Sequence, residues 1–315
     1  MRTRLLGRSG LTVGELGLGT WSLSNDGYGP VTREDARATI EAALDEGVTF
    51  IETSDCYAEG RIESLIGEVL GARDRSHAVV STRIGVDRSG EVARKRFEPE
   101  YITRACEASL KRLGSDYVDA LVLHNPLPHT LLRAETWNAL GTLKKAGKAR
   151  LIGASVSSID AGEAALSGGA DLIVVPYNIF FSKLLHRLSG PLAASKAAVV
   201  VRSPLAYGVL ADTWGASRRF RDEDHRMYRW SSAELSRRVR QREALRPLVK
   251  GDIASLRDLA LRYVLSNGLV SVAVPGARTP DHARQNARSA ASTPYLPDAD
   301  LASIGQLLSS ANING

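Results

Sequence analysis

Cysteine and lysine are scarce in this chain of 315 residues, and long apolar runs are missing. The two cysteines, Cys56 and Cys106, exclude a disulfide framework and a zinc site, and they favour a reducing cytoplasm as the location. Because no run of about 18 apolar residues occurs, we expect no transmembrane helix. The segment before Gly14 is basic but lacks a continuous apolar stretch, so we expect no secretory signal.

Arginine supplies most of the positive charge. The chain has 33 arginines and 8 lysines, with a net charge of +6 and a pI near 9.4. The stretch 218–246 is rich in arginine but also holds five acidic residues. Mixed signs favour a salt-bridged surface, so we expect no nucleic-acid partner. A hydrophobic fraction of 43% is enough for a sizeable core.

Short runs rich in β-branched residues alternate with amphipathic stretches of helical length. The predicted strands are Glu15–Leu18, Val48–Thr53, Ala78–Thr82, Val118–Leu123, Ala149–Ser155, Leu172–Pro176, Ala198–Ser203 and Val270–Val274. The predicted helices lie near 33–46, 62–72, 100–113, 132–146, 158–168, 183–196, 255–266 and 280–291.

Eight strand–helix units in a chain of this length predict one α/β domain over residues 1–315, a (β/α)8 TIM barrel. The alternative is a doubly wound open sheet, which is disfavoured because no GxGxxG motif follows an early strand. The segment from Arg4 to Val13 is predicted to form a β-hairpin that turns at Ser9-Gly10 and plugs the barrel bottom. The stretch 207–250 is predicted to be a long loop on the top face, where specificity is usually set.

Polar residues follow the predicted strands at their C-terminal ends, where barrel enzymes carry their catalytic groups. The segments are ETSDCY (52–57), STR (81–83), HNP (124–126), SVS (155–157), RSP (202–204) and VPGART (274–279).

Seven motifs at these strand ends resemble those of the aldo-keto reductases, in the same order and spacing: GVTFIETSDCY, VVSTRIG, LVLHNP, IGASVSS, VPYNIF, RSPLAYGVL and VPGARTP. The resemblance runs from Leu16 to Asn286. It implies that a nicotinamide cofactor, usually NADPH, delivers a hydride to the carbonyl group of a small-molecule substrate. It also implies a tyrosine that donates the proton and a histidine that orients the carbonyl. By motif position these are Tyr57 and His124.

Two positions depart from the family's catalytic tetrad. Glu52 stands where the family has aspartate, and Arg83 stands where it has lysine. Both changes keep the charge, so we interpret Glu52 and Arg83 as a compensated ion pair. Arginine is nevertheless planar and always charged, whereas a buried lysine can share its proton.

The resemblance also implies a cofactor-binding set. Ser155 is retained where the family holds the nicotinamide carboxamide, whereas Arg202 stands where an aromatic residue often stacks on the ring. Arg278 is placed to meet a 2′-phosphate, which favours NADPH (NADP) over NADH. The other residues implied to contact the cofactor are Thr20, Trp21, Ser203, Leu205, Gly208, Gln285 and Asn286.

We therefore expect an NADPH-dependent oxidoreductase that reduces a polar carbonyl compound, such as a sugar-like molecule or a secondary metabolite, without a metal. Arginines at the barrel mouth favour an anionic or sugar-like substrate, and Trp21 and Trp230 are candidate walls of its pocket. The alternative is a barrel that keeps the cofactor but reduces C=C or C=N bonds, or uses bound NADP in a redox-neutral reaction, because Arg83 and Glu52 replace the usual pair. A third reading is a regulatory subunit that senses redox state.

Overall fold

The structure, a computed structural model, describes residues 1–289 and 295–313. Its strands are β1 (Thr3–Leu5), β2 (Thr12–Gly14), β3 (Leu18–Gly19), β4 (Phe50–Ser54), β5 (Val79–Ile84), β6 (Val86–Asp87), β7 (Arg94–Lys95), β8 (Val118–Leu123), β9 (Ala149–Ser155), β10 (Leu172–Pro176), β11 (Ala198–Arg202) and β12 (Val272–Val274). Eight of them form one parallel sheet in the order β3-β4-β5-β8-β9-β10-β11-β12. This sheet confirms the eight predicted strand positions.

The sheet closes into a barrel between its first and last strands. The Gly17 amide donates to the Ala273 carbonyl at 2.8 Å, and the Ala273 amide donates to the Glu15 carbonyl at 2.9 Å. The Gly19 amide donates to the Pro275 carbonyl at 3.1 Å. The first strand was predicted at Glu15–Leu18, but its regular part is Leu18–Gly19, because the residues before it pair with β12 only through an isolated bridge.

Helices surround the barrel. They are α1 (Arg33–Asp45), α2 (Arg61–Gly71), α3 (Pro99–Leu113), α4 (Pro128–Leu131), α5 (Ala134–Lys145), α6 (Ile159–Ser167), α7 (Lys183–Arg187), α8 (Ser189–Ser195), α9 (Ser232–Glu243), α10 (Leu256–Leu265), α11 (Pro280–Arg288) and α12 (Asp298–Ile313). In the part of the chain that the structure describes, no helix is both long and apolar enough to cross a membrane.

Each predicted helix is present, with local differences. The helix predicted over 183–196 is split into α7 and α8, since Pro191 has no N–H to bond to the carbonyl four residues back. The last residues of the stretch 280–291 lie outside the described residues. The four-residue helix α4 was not predicted, and neither were α9 and α12. α9 and α12 pack against each other. Neither therefore needs the apolar stripe by which a helix that covers the barrel is recognised in the sequence.

The N-terminal hairpin plugs the bottom of the barrel, as predicted. β1 and β2 pair antiparallel, and the Leu6 amide donates to the Leu11 carbonyl at 2.8 Å across the turn. The side chains of Leu6 and Val13 are fully buried against inward-facing residues such as Phe50 and Val122. The lower part of the barrel is therefore a packed apolar core, and a ligand would enter the barrel from its top face.

Candidate active site

The face of each strand that fills the barrel bottom with apolar side chains carries polar groups at the top. Successive side chains of a strand point to opposite faces, so residues two apart point the same way. On β4 this relation links buried Phe50 to Glu52, and on β11 it links Val200 to Arg202. On β5 and after β8 the same spacing delivers Arg83 and His124 to the barrel mouth.

Strained backbone marks the turns that carry these groups. Eight non-glycine residues among those described have a positive φ, a conformation that costs energy for residues with a Cβ. Six of the eight come one or two residues after a candidate site residue: Ala58, Glu59, Asn125, Ser203, Ala206 and Tyr207. Such strain persists where the surrounding structure fixes a functional group, and it singles out the same three turns that the motifs indicated.

Arg83 lies at the centre of the polar cluster, and its three guanidinium nitrogens contact three different residues. Its Nε lies 2.5 Å from Glu52 Oε1, an ion-pair contact that is not aligned as a hydrogen bond. Its Nη1 lies 3.1 Å from His124 Nε2, and its Nη2 donates to the Tyr57 hydroxyl oxygen. Glu52, Tyr57 and Arg83 are each at most 5% exposed. The structure thus brings together all four predicted catalytic residues.

Burial and charge set the protonation of the cluster. Burial raises the pKa of Tyr57 well above its usual value and Arg83 opposes this rise, so the phenol is protonated at neutral pH. Burial and the neighbouring Arg83 lower the pKa of His124 well below its usual value, which keeps the imidazole neutral. Although burial opposes the charge of Arg83, the nearby Glu52 raises its pKa, so the guanidinium stays cationic.

A cavity of about 460 Å³ opens above the cluster. Tyr57, His124 and Trp21 line it, and the Trp21 and Tyr57 rings lie nearly parallel with centroids 6.5 Å apart. A second cavity of about 530 Å³ adjoins it and leads outward over the helix starts. Both cavities share the lining residues Ser22, Tyr28, Ser203, Tyr207 and Gly276. Together they form an elongated cleft, the shape that an extended dinucleotide requires.

The outer cavity fits the phosphate-bearing end of a nicotinamide cofactor. Arg257 at the start of α10 is half-buried there, with no carboxylate partner among the residues described. The Asn286 Oδ1 atom is buried and accepts no hydrogen bond within the described chain, which leaves it free for an amino group of a ligand. Gly208, on the cleft wall, has φ = +93°, which glycine adopts without strain. These features match the donor, acceptor and close-approach needs of a dinucleotide.

Arg278 lines the outer cavity but also holds a loop. Its Nη1 donates to the Tyr28 carbonyl and its Nη2 to the Pro30 carbonyl, the latter at 3.0 Å. Loop 24–30 in turn meets the long loop after β11, where the His225 amide donates to the Gly27 carbonyl at 3.0 Å. The predicted contact of Arg278 with a 2′-phosphate stays a prediction, and Arg278 also fixes the rim of the cleft.

The other residues predicted to bind the cofactor fall into two groups. Arg202 lines the inner cavity, and it donates to Ser157 Oγ at 2.9 Å while its buried Nε has no partner in the described chain. The predicted residues that line either cavity are Trp21, Arg202, Ser203, Leu205, Gly208, Arg278 and Asn286.

Three predicted cofactor residues do not line the cleft. The Thr20 hydroxyl donates to the Glu52 carbonyl at 3.0 Å, and Ser155 is hydrogen-bonded to Asn125 beside His124. Both residues brace the turns that carry the catalytic groups. Gln285 is exposed on α11, so its contact with adenine stays a prediction. Trp230 packs against Tyr207 instead of lining either cavity.

Sequence reasoning missed several cleft residues. Arg257 could have been noticed because it lies in the first turn of α10, two residues after the capping Ser255, where the helix dipole disfavours a cation. Arg88 and Arg229 line the inner cavity, but they come from connecting loops whose course no motif fixed. Ser54 is not among the residues that line either cavity, but it lies 2.9 Å from His124 Nδ1, and no motif position indicates that contact.

Asp55, Cys56 and His124 offer three ligand atoms within 4.8 Å of one another. The Ser54 hydroxyl occupies the space among them, at 3.2 Å from Asp55 Oδ1, 3.3 Å from Cys56 Sγ and 2.9 Å from His124 Nδ1. This hydroxyl thus lies within hydrogen-bond distance of all three groups, and we assign them no metal.

Comparison with known proteins agrees with this geometry. The sequence model of the Aldo/keto reductase family matches residues 15–309. The chain is 31% identical to the NADH-specific methylglyoxal reductase of Escherichia coli (strain K12), over 94% of this chain and 94% of that protein. It is 30% identical to the L-galactose dehydrogenase of Arabidopsis thaliana, over 90% of this chain and 86% of that protein.

The fold is also shared with solved structures. The holo form of an aldo-keto reductase from Bacillus halodurans superposes with a TM-score of 0.82 at 27% identity, covering 98% of this chain and 96% of that one. The matching barrel and the family match over nearly the whole sequence lead to one assignment. The chain belongs to the aldo/keto reductase family of NAD(P)H-dependent oxidoreductases.

Proposed function

We propose that the protein uses NADPH to reduce the carbonyl group of a polar, negatively charged small molecule, with Tyr57 as the proton donor. One observation carries the catalytic part of the proposal. The Tyr57 oxygen accepts a hydrogen bond from Arg83, and its own proton has no acceptor among the described residues. That proton is therefore available to a carbonyl oxygen bound in the inner cavity.

Residues of the chain itself supply the proton that the substrate oxygen receives and stabilise the negative charge that its transfer leaves behind. A bound reduced nicotinamide supplies the hydride that the carbonyl carbon accepts as its C=O π bond becomes a C–O single bond. Tyr57 donates its proton to that oxygen, and the tyrosinate left behind is stabilised by the Arg83 guanidinium. Glu52 holds Arg83 in place through the ion pair at 2.5 Å. Tyr57 regains a proton from solvent before the next turnover.

Positive charge in the outer cavity supports NADPH as the cofactor. Five arginines are among its described lining residues, and one carboxylate, that of Asp224, joins them. Asp224 is already paired with Arg226 at 2.6 Å. The remaining cations suit the 2′-phosphate that distinguishes NADPH from NADH. Because the relative from Escherichia coli is NADH-specific by name, NADH is the necessary competitor in any test.

The charge of the inner cavity supports an anionic substrate. Its described lining includes Arg83, Arg88, Arg202 and Arg229, with Glu52 as the carboxylate. Glu52 is committed to Arg83, and Arg88 is paired with Asp26 at 2.6 Å. Arg202 and Arg229 have no carboxylate partner in the described chain, so a ligand anion would find two unpaired guanidinium groups.

Steady-state kinetics with two matched aldehydes test the proposal. 4-Carboxybenzaldehyde and its neutral carboxamide have the same shape, and a charge-assisted hydrogen bond of about 1.5–3 kcal/mol predicts at least a tenfold higher kcat/KM for the acid. Tyr57→Phe should abolish turnover while NADPH binding, followed by nucleotide fluorescence, persists. Equal kcat/KM values would refute the anionic substrate. Tight NADPH binding with neither aldehyde reduced would instead favour the altered-chemistry alternative.

A further inference from the structure

The contact between Arg83 and His124 fixes the direction of a hydrogen bond. Arg83 Nη1 and His124 Nε2 lie 3.1 Å apart. A guanidinium nitrogen can only donate, since arginine has no acceptor atom and stays protonated. His124 Nε2 must therefore offer its lone pair to Arg83, and it carries no hydrogen of its own.

The other ring nitrogen leads to the same tautomer. Ser54 Oγ lies 2.9 Å from the Arg83 carbonyl oxygen, 3.2 Å from Asp55 Oδ1 and 2.9 Å from His124 Nδ1. Its single hydrogen goes to the nearer of the two oxygens, the carbonyl, which can only accept. With its hydrogen committed to the carbonyl, the Ser54 oxygen accepts the hydrogen of Nδ1. The bonds form a closed chain from the Arg83 main chain through Ser54 and His124 back to the Arg83 guanidinium.

The surroundings of the ring exclude a second proton. The charged and titratable groups that face the imidazole are Arg83, Arg88, Lys95, Arg202, the thiol of Cys56 and the carboxyl group of Asp55, which has an oxygen within 4.8 Å of a ring nitrogen. Four of these six groups are cations. A proton added at Nε2 would also point at the guanidinium that now donates to it, so the neutral tautomer with hydrogen on Nδ1 is the stable one.

We propose that His124 is a positioning residue that holds Arg83 through Nε2, and that Arg83 replaces it as the second hydrogen-bond donor to the substrate oxygen. The role at the substrate rests on the proposed carbonyl reduction, whereas the tautomer does not. In this arrangement the substrate oxygen receives bonds from the Tyr57 hydroxyl and from an Arg83 N–H, both of which line the inner cavity. The expected role of His124 in orienting the substrate is then exerted indirectly.

Nitrogen NMR of the apoenzyme tests the tautomer independently of activity. The chain has six histidines, and with all of them labelled with ¹⁵N the His124→Gln variant identifies the signals of His124. We expect a pyrrole-like shift for Nδ1 and a pyridine-like shift for Nε2 at neutral pH. A pyrrole-like Nε2 would overturn the proposal even if the enzyme reduces carbonyl compounds as proposed.

A double-mutant cycle on the intact enzyme tests the role of His124. His124→Leu should lower kcat/KM about 10- to 100-fold in the wild-type background, since it removes an acceptor from a charged donor. In the Arg83→Met background the same change should lower kcat/KM less than about threefold, because His124 acts only through Arg83. Equal losses in the two backgrounds would show that His124 contacts the substrate itself. If Arg83→Met is too inactive to assay, the NMR result decides.

Discussion

Replacing Arg83 with lysine should impair the enzyme even though lysine is the residue usual in the family. Arg83 uses separate nitrogens for Glu52 at 2.5 Å, for His124 at 3.1 Å and for Tyr57. Lysine has one nitrogen at the end of a flexible stem, and it cannot reach three partners that a planar fork reaches at once. Loss of one charge-assisted contact costs about 1.5–3 kcal/mol, so we expect kcat/KM to fall about 10- to 150-fold.

The assay is NADPH-dependent reduction of 4-carboxybenzaldehyde by four proteins: wild type, Arg83→Lys, Glu52→Asp and the double variant. Shortening Glu52 by one methylene leaves room for a compact ammonium group, so the double variant should recover part of the loss and stay below wild type. At alkaline pH, kcat/KM of the two lysine variants should fall where that of wild type does not, because the lysine ammonium group can lose its proton and the Arg83 guanidinium cannot.

Two outcomes would refute this reasoning. If Arg83→Lys is as active as wild type, the three contacts of the guanidinium are not needed for catalysis. If the double variant exceeds wild type on uncharged aldehydes, the Glu52–Arg83 pair suppresses ordinary carbonyl reduction, and the alternative chemistry becomes the better assignment. Urea unfolding of each variant separates these effects from loss of the fold.

Three further predictions concern charge, pH and packing. Arg229→Gln should lower kcat/KM about tenfold for the carboxylated aldehyde and leave the carboxamide unchanged, with Arg133→Gln on the exposed start of α5 as a matched control for kinetics. Burial raises the pKa of Asp55 to about 7 from 3.8, so its contribution to stability is present at acid pH and is lost as the pH rises through 7. In urea unfolding, the unfolding free energy of Asp55→Asn minus that of wild type should therefore be larger at pH 8 than at pH 5. Equal values of this difference at the two pH values would contradict the prediction. Leu6→Ala in the fully buried bottom plug should cost about 2–5 kcal/mol of unfolding free energy without changing KM, whereas a changed KM would mean that the plug communicates with the cleft.

The placement of strands and helices depends on local pattern, and the sequence was informative wherever an element packs on the barrel. In such elements apolar residues recur every two residues in a strand or every 3.6 residues in a helix, and this period is visible in the sequence without knowledge of the element it packs against. α9 and α12 escaped prediction because each packs against the other instead of covering a barrel strand. The assignment of Ser155 and Thr20 to the cofactor depends on motif position and stays a prediction, while the structure shows that their hydrogen bonds hold neighbouring turns.

The sequence by itself determined the (β/α)8 architecture, the family, and the strand ends at which Glu52, Tyr57, Arg83 and His124 stand. It could not determine which of these side chains donates and which accepts in each hydrogen bond between them. These residues come from three different strands, and the direction of a hydrogen bond depends on distances that only closure of the barrel sets. The tertiary structure decided that one guanidinium contacts the other three groups, because an arginine side chain is long enough to reach across the barrel mouth and has a separate nitrogen for each partner.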